Sequence, residues 1–325
     1  MINMKKKTHM SITINEYVMR ALVVKGPSME QLALYEVSLP KNVIKDGAIT
    51  DEMTLFEIMK DNASNWGGKR QNVRFLVPDT SVLFKTFEHP PELTGKKVKE
   101  FVQMELGQSI HLPFQEPLVD VYDTEEGDGQ AVLFAAPSEE VGKMIGLLLD
   151  NHFHPQVADI RALCNLRLLK YIQFIGDKKT YLVTDWSMNE LSICIFSNGN
   201  VEFLRFQGIE TDAEKWQAEV LENGEVQFHY NGEQDEYRSL VLDQILELDR
   251  IMNFFKFSLH KGEKVVDEII VMGEHPLLTT IELMLSDNLS TPVKIVGDVA
   301  IGAIFPNCKA KHATLLGLAL KEVNI

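Results

Sequence analysis

The chain contains the same strand–turn–strand pattern twice, as SITINEYVMRALVV at residues 11–24 and as YLVTDWSMNELSICIF at residues 181–196. Each copy has two β-prone runs joined by a short polar turn, and a third β-prone run follows at residues 31–39 and 200–206. Repetition of one such unit about half a chain apart indicates two similar domains. The sequence therefore predicts an α/β protein whose two like domains face one another.

Composition narrows the class of protein. The chain has 325 residues, 45% of them hydrophobic and 24% charged, which is enough for two domains with their own cores. The formal net charge of −15 argues against an extended nucleic-acid groove, because neutralising phosphates requires clustered Lys and Arg. We therefore expect no nucleic-acid partner.

Cysteine spacing and hydropathy indicate the compartment. Cys164, Cys194 and Cys308 lie far apart in apolar runs, which predicts buried, reduced thiols rather than disulfides or a metal site. No apolar run approaches the roughly 18 residues that span a bilayer, and the first residues lack the apolar core of a signal peptide. We expect a cytoplasmic protein that does not insert directly into a membrane.

Helix and strand patterns after the first hairpin indicate an insertion. The sequence predicts an amphipathic helix at residues 51–66, strands at 73–77 and 82–87 joined by the turn Pro78-Asp79-Thr80, and a helix at 95–108. We expect a first domain over residues 1–176, made of a hairpin region (11–39), an inserted α/β subdomain (about 40–128) and a return segment (129–176).

The second half is predicted to form a domain over residues 177–325, with a reduced subdomain at about 211–262. In the reduced part, the sequence predicts a short helix, a hairpin in GEVQFHYNGE (224–233) and one long helix at about 236–259. The Phe-rich end of that helix, DRIMNFFKFSL, either packs in the core or forms a partner-binding face.

One stretch, VRFLVPDTSVLFKTFEHPPELTGKKVKEFVQMELGQSIHLPFQEPLVDVYD at residues 73–123, resembles the inserted subdomain of the PilM family. That family comprises actin-like cytoplasmic proteins of type IV pilus assembly. Its motif residues are matched here by Pro78-Asp79, Pro90 or Pro91, Glu105, Pro113-Phe114 and Asp120. Similar blocks surround Pro137, Asp159 and Ala162, and the chain from residue 269 resembles the family's closing strand–turn–helix.

This resemblance implies a two-domain actin-like fold of the FtsA/PilM type, which is a ribonuclease H-like duplication with an inserted α/β subdomain. It implies a non-catalytic scaffold of a type IV pilus or pilus-like machine. The partner would be a PilN-like single-span membrane protein whose extended N-terminal cytoplasmic tail is bound, which would place the protein at the inner face of the membrane. The alternatives are an actin-like ATP-binding protein or ATPase switch, and a GspL-like cytoplasmic domain of a type II secretion platform. Formation of a homo-oligomer is left open.

The first hairpin departs from the motif with which this family holds phosphate. Aligned without gaps, Thr13 stands at the position of the family's Asp, and Asn15, Glu16 and Tyr17 stand where a Gly and two Ser are expected. A turn that binds phosphate needs exposed backbone N–H groups and no obstructing side chain. Glu16 adds a like charge and Tyr17 adds bulk, so this turn is predicted not to bind a nucleotide.

The two other nucleotide sites have also lost their glycines. The corresponding residues are Asp185, Trp186 and Ser187 in the second hairpin, and Gly273, Glu274 and His275 at the third site. A different alignment would place Val183 rather than Asp185 at the metal-binding position. Trp186 either fills the former cleft or lies exposed, and Glu274 with His275 is expected to form a surface turn rather than a catalytic pair. The sequence predicts a pseudo-ATPase without catalytic residues, cofactor or metal, and ATP with magnesium is the disfavoured alternative.

The resemblance also places a peptide-binding groove between the hairpin region and the inserted subdomain. The residues assigned to partner binding are Phe101, Glu105, Ile110, Pro113 and Phe114. Core packing explains the aromatic members of this set equally well.

Overall fold

A computed structural model describes residues 8–26, 29–68, 70–123, 127–211 and 213–322. The strands are β1 (His9–Ile14), β2 (Val18–Val24), β3 (Leu32–Ser38), β4 (Ile44–Lys45), β5 (Ala48–Ile49), β6 (Asn72–Leu76), β7 (Leu83–Glu88), β8 (Pro117–Tyr122), β9 (Gln130–Pro137), β10 (His154–Asp159), β11 (Tyr181–Trp186), β12 (Glu190–Ser197), β13 (Asn200–Gly208), β14 (Trp216–Val220), β15 (Val226–Tyr230), β16 (Glu268–Gly273) and β17 (Val293–Ile295). The α-helices are α1 (Glu52–Asn62), α2 (Lys96–Glu105), α3 (Ser138–Asp150), α4 (Arg161–Tyr171), α5 (Gln234–Asn253), α6 (Leu278–Asn288), α7 (Asp298–Gly302) and α8 (Ala313–Ala319). Short 3₁₀ turns occur at Asp79–Ser81, Ala213–Lys215 and Ala310–His312, and a π-helical turn at Phe254–Leu259.

Two five-stranded sheets repeat one topology. In the first half, β1, β2 and β3 run antiparallel, and β6 and β10 extend the sheet in parallel from β1, which gives the order β10-β6-β1-β2-β3. In the second half, β11, β12 and β13 are antiparallel, and β16 and β17 extend the sheet in parallel from β11. The duplicated α/β fold predicted from the two hairpins is confirmed.

One of the hydrophobic clusters contains residues of both halves. Strand β2 is buried at every residue because both faces of its sheet are covered. Met19 and Ala21 point to the layer that contains α1 and α3, whereas Leu22 and Val24 point to a core that also contains side chains of α4, α8 and the second sheet. Helices α4 and α8 approach closely, since a Cβ atom at Gly317 would lie 2.0 Å from the carbonyl oxygen of Cys164.

The cysteines follow the sequence-based prediction. Cys164, Cys194 and Cys308 are free thiols and all three are buried. Burial raises the pKa of Cys194 to about 12 and that of Cys308 to about 11, which keeps these thiols protonated and unreactive at neutral pH.

The inserted subdomain is smaller than the predicted range of about 40–128. Strands β6 and β7, which the sequence presents as a connected pair, lie in different sheets: β6 is inside the first five-stranded sheet, and β7 belongs to a separate sheet of order β7-β9-β8. Pro78 and the 3₁₀ turn that follows it redirect the chain between the two sheets. The separate sheet spans residues 83–137, with α2 on one face, while α1 packs in the core of the first half.

Residues 211–262 form a small unit on the second sheet. A short 3₁₀ helix is present at Ala213–Lys215, as predicted. The antiparallel hairpin β14–β15 begins at Trp216, so only its second strand lies within the predicted hairpin segment 224–233, and α5 follows it. The predicted long helix changes to π-helical geometry at its Phe-rich end. There Phe255 is buried in the core of the second half, while Phe254 and Phe257 are exposed. The Phe-rich end is therefore only partly core.

Candidate functional site

The turns of the two hairpins meet across the cleft between the halves. A Glu16 carboxylate oxygen accepts a hydrogen bond of 2.8 Å from the side-chain amide of Asn189, which lies in the second turn. The Tyr17 ring contacts the Phe228 ring of β15 edge-on, with ring centroids 5.8 Å apart. Glu16 and Tyr17, which the sequence marks as obstacles to a phosphate, instead connect the two halves.

Asn15 organises the first turn. Its side-chain oxygen accepts hydrogen bonds of 2.9 Å from the backbone N–H groups of Tyr17 and Val18, as Asn side chains often do in turns. Its backbone N–H donates to the Val18 carbonyl at 3.1 Å. With the oxygen used in this way, the buried side-chain NH₂ group of Asn15 is directed at the carboxylate of Glu274.

The third site is fixed against the backbone of the second hairpin. Gly273 has φ +123°, and a Cβ atom there would lie 2.2 Å from the carbonyl oxygen of Trp186. That carbonyl accepts hydrogen bonds from the backbone N–H groups of Glu274 and His275, at 2.9 and 3.1 Å. Close backbone contact thus explains why position 273 is glycine without invoking a ligand.

Glu274 lies between the two turns. Its carboxylate accepts hydrogen bonds from the Asn15 side chain, from the Ser187 hydroxyl at 2.9 Å and from the Arg20 guanidinium. The expected surface turn at 274–275 is wrong, because the side chain of Glu274 is 7% exposed and His275 is 3% exposed. A buried carboxylate satisfied by one cation and two polar donors is a stable ionic arrangement.

Arg20 connects Glu274 to a second carboxylate. Its guanidinium also donates to Glu36 at 2.8 Å, and Glu36 in turn contacts Lys311 at 2.9 Å and His312 at 3.0 Å. Burial opposes ionisation of Glu36, but the hydrogen bond from His312, the charge of Arg20, and the hydrogen bond and charge of Lys311 lower its pKa well below the usual range. Sequence reasoning missed this cluster, although an Arg inside the apolar run VMRALVV is a signal that a buried carboxylate must lie nearby.

The Asp185 carboxylate is hydrogen-bonded to side chains of the protein itself. It accepts hydrogen bonds from Asn165 at 2.6 Å and Thr314 at 3.0 Å, and the Arg161 guanidinium lies 3.9 Å away. Arg161 also pairs with Asp79 and approaches Glu190 at 3.9 Å. A carboxylate already neutralised by a guanidinium does not fit magnesium, which prefers oxygen ligands and retained waters. Among the residues that the structure describes, no group of three or more His, Cys, Asp or Glu side chains could hold a metal ion.

Two carboxyl groups near Arg161, those of Glu190 and Asp79, have raised pKa values. Burial raises the pKa of Glu190 to about 7, although the nearby Arg161 acts in the opposite direction. Burial also raises the pKa of Asp79, again against the effect of Arg161. Burial, together with three carboxylates that share the one guanidinium of Arg161, explains both directions.

A cavity of about 770 Å³ opens beside Glu274, between the β14–β15 hairpin, α5 and α6. Its wall includes His275, whose ring stacks on Tyr237 with centroids 5.4 Å apart and meets Trp216 edge-on at 5.5 Å. The Nδ1 atom of His275 accepts from the Leu277 N–H at 2.9 Å, so Nε2 carries the proton and donates to the Tyr237 hydroxyl. Burial lowers the pKa of His275 to about 3, and the ring is a neutral structural element.

Trp186 is fully buried, with 0% of its surface exposed. Its ring packs in the core of the second half, and its indole N–H donates to the Thr184 hydroxyl at 3.0 Å. It is not among the residues that line the cavity. The Trp186 side chain is therefore buried in this core and not exposed.

The residues assigned to partner binding lie together on α2 and the loop after it. Ile110 is buried, and Phe101 and Phe114 are half-buried against the core of the inserted subdomain. Glu105 is half-buried and accepts a hydrogen bond from the Ser109 hydroxyl, whereas Pro113 is exposed.

Strand β8 is an outer strand of the inserted sheet and pairs with β9. Its Leu118 and Tyr122 alternate with Val119 and Val121, which face α2, and they are 47% and 58% exposed. The inserted subdomain thus has exposed apolar groups on β8 as well as the half-buried aromatic residues beside α2.

Two like sheets, an inserted subdomain and a cleft between the halves define an actin-like protein. A Bacteroides thetaiotaomicron protein with an actin-like ATPase fold and unknown function is similar, with a TM-score of 0.53 and 11% identity over 99% of this chain and 100% of that chain. The cytoplasmic domain of EpsL, an inner membrane component of the type II secretion system of Vibrio cholerae, gives a TM-score of 0.53 and 10% identity over 98% of this chain and 97% of that chain. At these identities the likeness concerns the fold alone.

The family model of the type IV pilus assembly protein PilM matches residues 19–320, and the chain belongs to this family. A solved PilM–PilN type IV pilus biogenesis complex is similar to this chain, with a TM-score of 0.76 and 18% identity over 96% of this chain and 97% of that chain. A comparison with curated protein sequences finds no match. The resemblance inferred from the inserted subdomain is confirmed.

Proposed function

We propose that this protein is a non-catalytic scaffold of a type IV pilus or pilus-like assembly machine. The observation that carries the non-catalytic part is Glu274, whose carboxylate takes the donors of both hairpin turns, Asn15 and Ser187. A nucleotide phosphate brought to these turns would meet a buried like charge in place of free donors. The contacts of Asp185 support the same proposal. This acid aligns with the metal-binding position of the family, but it accepts a hydrogen bond from Asn165 and lies close to the Arg161 guanidinium.

The partner is a PilN-like single-span membrane protein, bound through its extended N-terminal cytoplasmic tail. Family membership supports this assignment, and the similar solved structure is itself a PilM–PilN complex. An extended tail would gain affinity from backbone hydrogen bonds and specificity from alternate side-chain pockets. Within the described residues, no helix has the length and apolar character needed to cross a bilayer. The tail would place the protein in the cytoplasm at the inner face of the membrane.

The groove for the tail lies between the β1–β3 hairpin region and the inserted subdomain. Phe101 and Phe114 would supply aromatic contacts, and Glu105 with the exposed Pro113 would border them. Ile110 lies beneath this surface and supports it from the core. A tail with a positive charge near its apolar residues would complement Glu105.

The test is a pair of charge reversals on one helix. A labelled peptide of the N-terminal tail of a PilN-like protein from the same organism is titrated with wild type, Glu105→Lys and Glu100→Lys, and the dissociation constant is read from fluorescence anisotropy. Glu100 is the matched control, because it lies exposed on the same helix and changes the net charge equally. We expect Glu105→Lys to weaken binding at least tenfold, about 1.4 kcal/mol, and Glu100→Lys to leave it within about twofold. Equal effects of the two variants would contradict the assigned surface.

The two alternative functions have less support. An ATP-binding switch would require Glu274 to leave its three donors before a phosphate could enter. A role in a type II secretion platform rests on the likeness to the EpsL domain, which concerns the fold, whereas the family match is to a pilus protein.

A further inference from the structure

Three donors from different parts of the chain converge on one carboxylate. Arg20 lies on β2, Asn15 in the first hairpin turn and Ser187 in the second, and all three contact Glu274. Each donor residue is nearly inaccessible to solvent, with exposures of 4%, 7% and 2%. A guanidinium, an amide NH₂ and a hydroxyl arranged in this way form the donor set of a small-oxyanion site.

The charged side chains connected to Arg20 sum to zero net charge only when the Glu274 carboxylate is included. The connected ion pairs contain three cations and three carboxylates, which are Arg20, Lys309, Lys311, Glu36, Glu225 and Glu274. Burial lowers the pKa of His312, which contacts Glu36, although Glu36 acts in the opposite direction, so this ring is neutral at neutral pH. Removing Glu274 would leave one excess positive charge next to Arg20, whose side chain is 5% exposed, and a buried charge without its partner is unfavourable.

The same contacts hold the halves of the molecule together. Asn15 and Arg20 belong to the first half, whereas Ser187 and Glu274 belong to the second. The backbone of Glu274 is itself fixed to the Trp186 carbonyl, so its carboxylate cannot follow the first half if the cleft opens. The cavity of about 770 Å³ that borders Arg20 and Glu274 gives a small anion a path to this place.

We propose that the Glu274 carboxylate acts as an internal anion that holds the two halves together across the cleft. The position of this carboxylate is an oxyanion-binding site, which becomes available when the carboxylate is removed. The argument rests on the ion pairs of this chain and is independent of the tail-binding surface. In a Glu274→Ala variant, Arg20, Asn15 and Ser187 keep their positions but lose their shared acceptor. An external oxyanion can then take the vacated place and restore the contact between the halves.

The experiment measures rescue by inorganic phosphate. The melting temperature of wild type and of Glu274→Ala is followed while sodium phosphate replaces sodium chloride at constant ionic strength. Glu274→Ala is expected to melt several degrees below wild type and to regain at least half of the loss in a saturable manner. Wild type is expected to show only the small, non-saturable rise that phosphate gives folded proteins in general, and direct titration to show phosphate binding at least tenfold tighter in the variant.

Two further variants separate a vacated site from a general salt effect. Glu274→Gln keeps the volume but not the charge, so it should lose stability and gain no more from phosphate than wild type does. Glu274→Ala combined with Arg20→Ala should also lose the phosphate response, because the cation is gone. If Glu274→Ala does not fold in chloride, its refolding yield in phosphate against chloride is the readout. No rescue of Glu274→Ala, or equal rescue of Glu274→Gln, overturns the proposal.

Discussion

Gly273→Ala perturbs the contact that fixes the third site against the second hairpin. The backbone at this position has φ +123°, a conformation that residues with a Cβ atom rarely adopt. The new methyl group would lie 2.2 Å from the Trp186 carbonyl oxygen and 2.7 Å from an Asp185 carboxylate oxygen. The first of these atoms is backbone in a central strand pair, so the neighbour cannot move away at low cost.

The magnitude follows from two separate contributions. An unfavourable backbone conformation costs about 1–3 kcal/mol, and forcing an extra carbon into a packed place costs about 1–3 kcal/mol more. We therefore expect Gly273→Ala to lower the free energy of unfolding by about 2–6 kcal/mol. The assay is urea denaturation at neutral pH, followed by tryptophan fluorescence, with Trp186 packed next to the substituted position.

Gly142→Ala on α3 is the matched control. A Cβ atom there meets nothing within 4 Å, and φ is not positive, so the helix should gain up to about 1 kcal/mol. If Gly273→Ala loses less than about 1 kcal/mol, the close backbone contact does not explain the glycine. A retained ligand-binding role for position 273 would then have to be considered.

Two further predictions concern buried polar groups. The pKa of Glu190 is raised from 4.5 to about 7, so its contribution to stability is full below pH 4.5 and is lost as the pH rises through 7. Glu190→Gln should flatten this part of the stability–pH curve and stabilise the protein above pH 7 by up to about 3 kcal/mol. Urea denaturation at a series of pH values measures the change, and a slope equal to that of wild type would refute the prediction. Tyr237→Phe removes the acceptor of the His275 Nε2 proton, so thermal denaturation should reveal a loss of about 1–3 kcal/mol, and a loss no larger than that of an exposed Tyr→Phe change would count against the contact.

Local sequence pattern is sufficient to predict much of the fold. The pairs of β-prone runs joined by a short polar turn within residues 11–24 and 181–196 identify both hairpins. The same pattern does not say which sheet a strand joins. Strands β6 and β7 look like neighbours in sequence, yet the turn after Pro78 sends them to different sheets. Sheet membership depends on contacts between distant residues, which the local pattern does not contain.

The candidate site shows the same limit more strongly. The sequence identifies that the turns lack glycines, which depends only on residue type at a few positions. It does not reveal that Glu274 meets Arg20, because 254 residues separate them and no spacing rule relates them. A charged residue within a buried run, such as Arg20 in β2, predicts that some partner exists. The identity of that partner requires the three-dimensional structure.

Binding of the tail peptide in the absence and presence of nucleotide tests the central claim most directly. Wild-type protein is titrated with the labelled tail in EDTA, and again with millimolar ATP and magnesium. A scaffold whose cleft is held shut by Glu274 should bind the tail with the same dissociation constant, within about twofold, in both conditions. Tail binding that requires ATP, or that changes by more than about tenfold on its addition, would contradict the account and indicate a nucleotide-controlled switch.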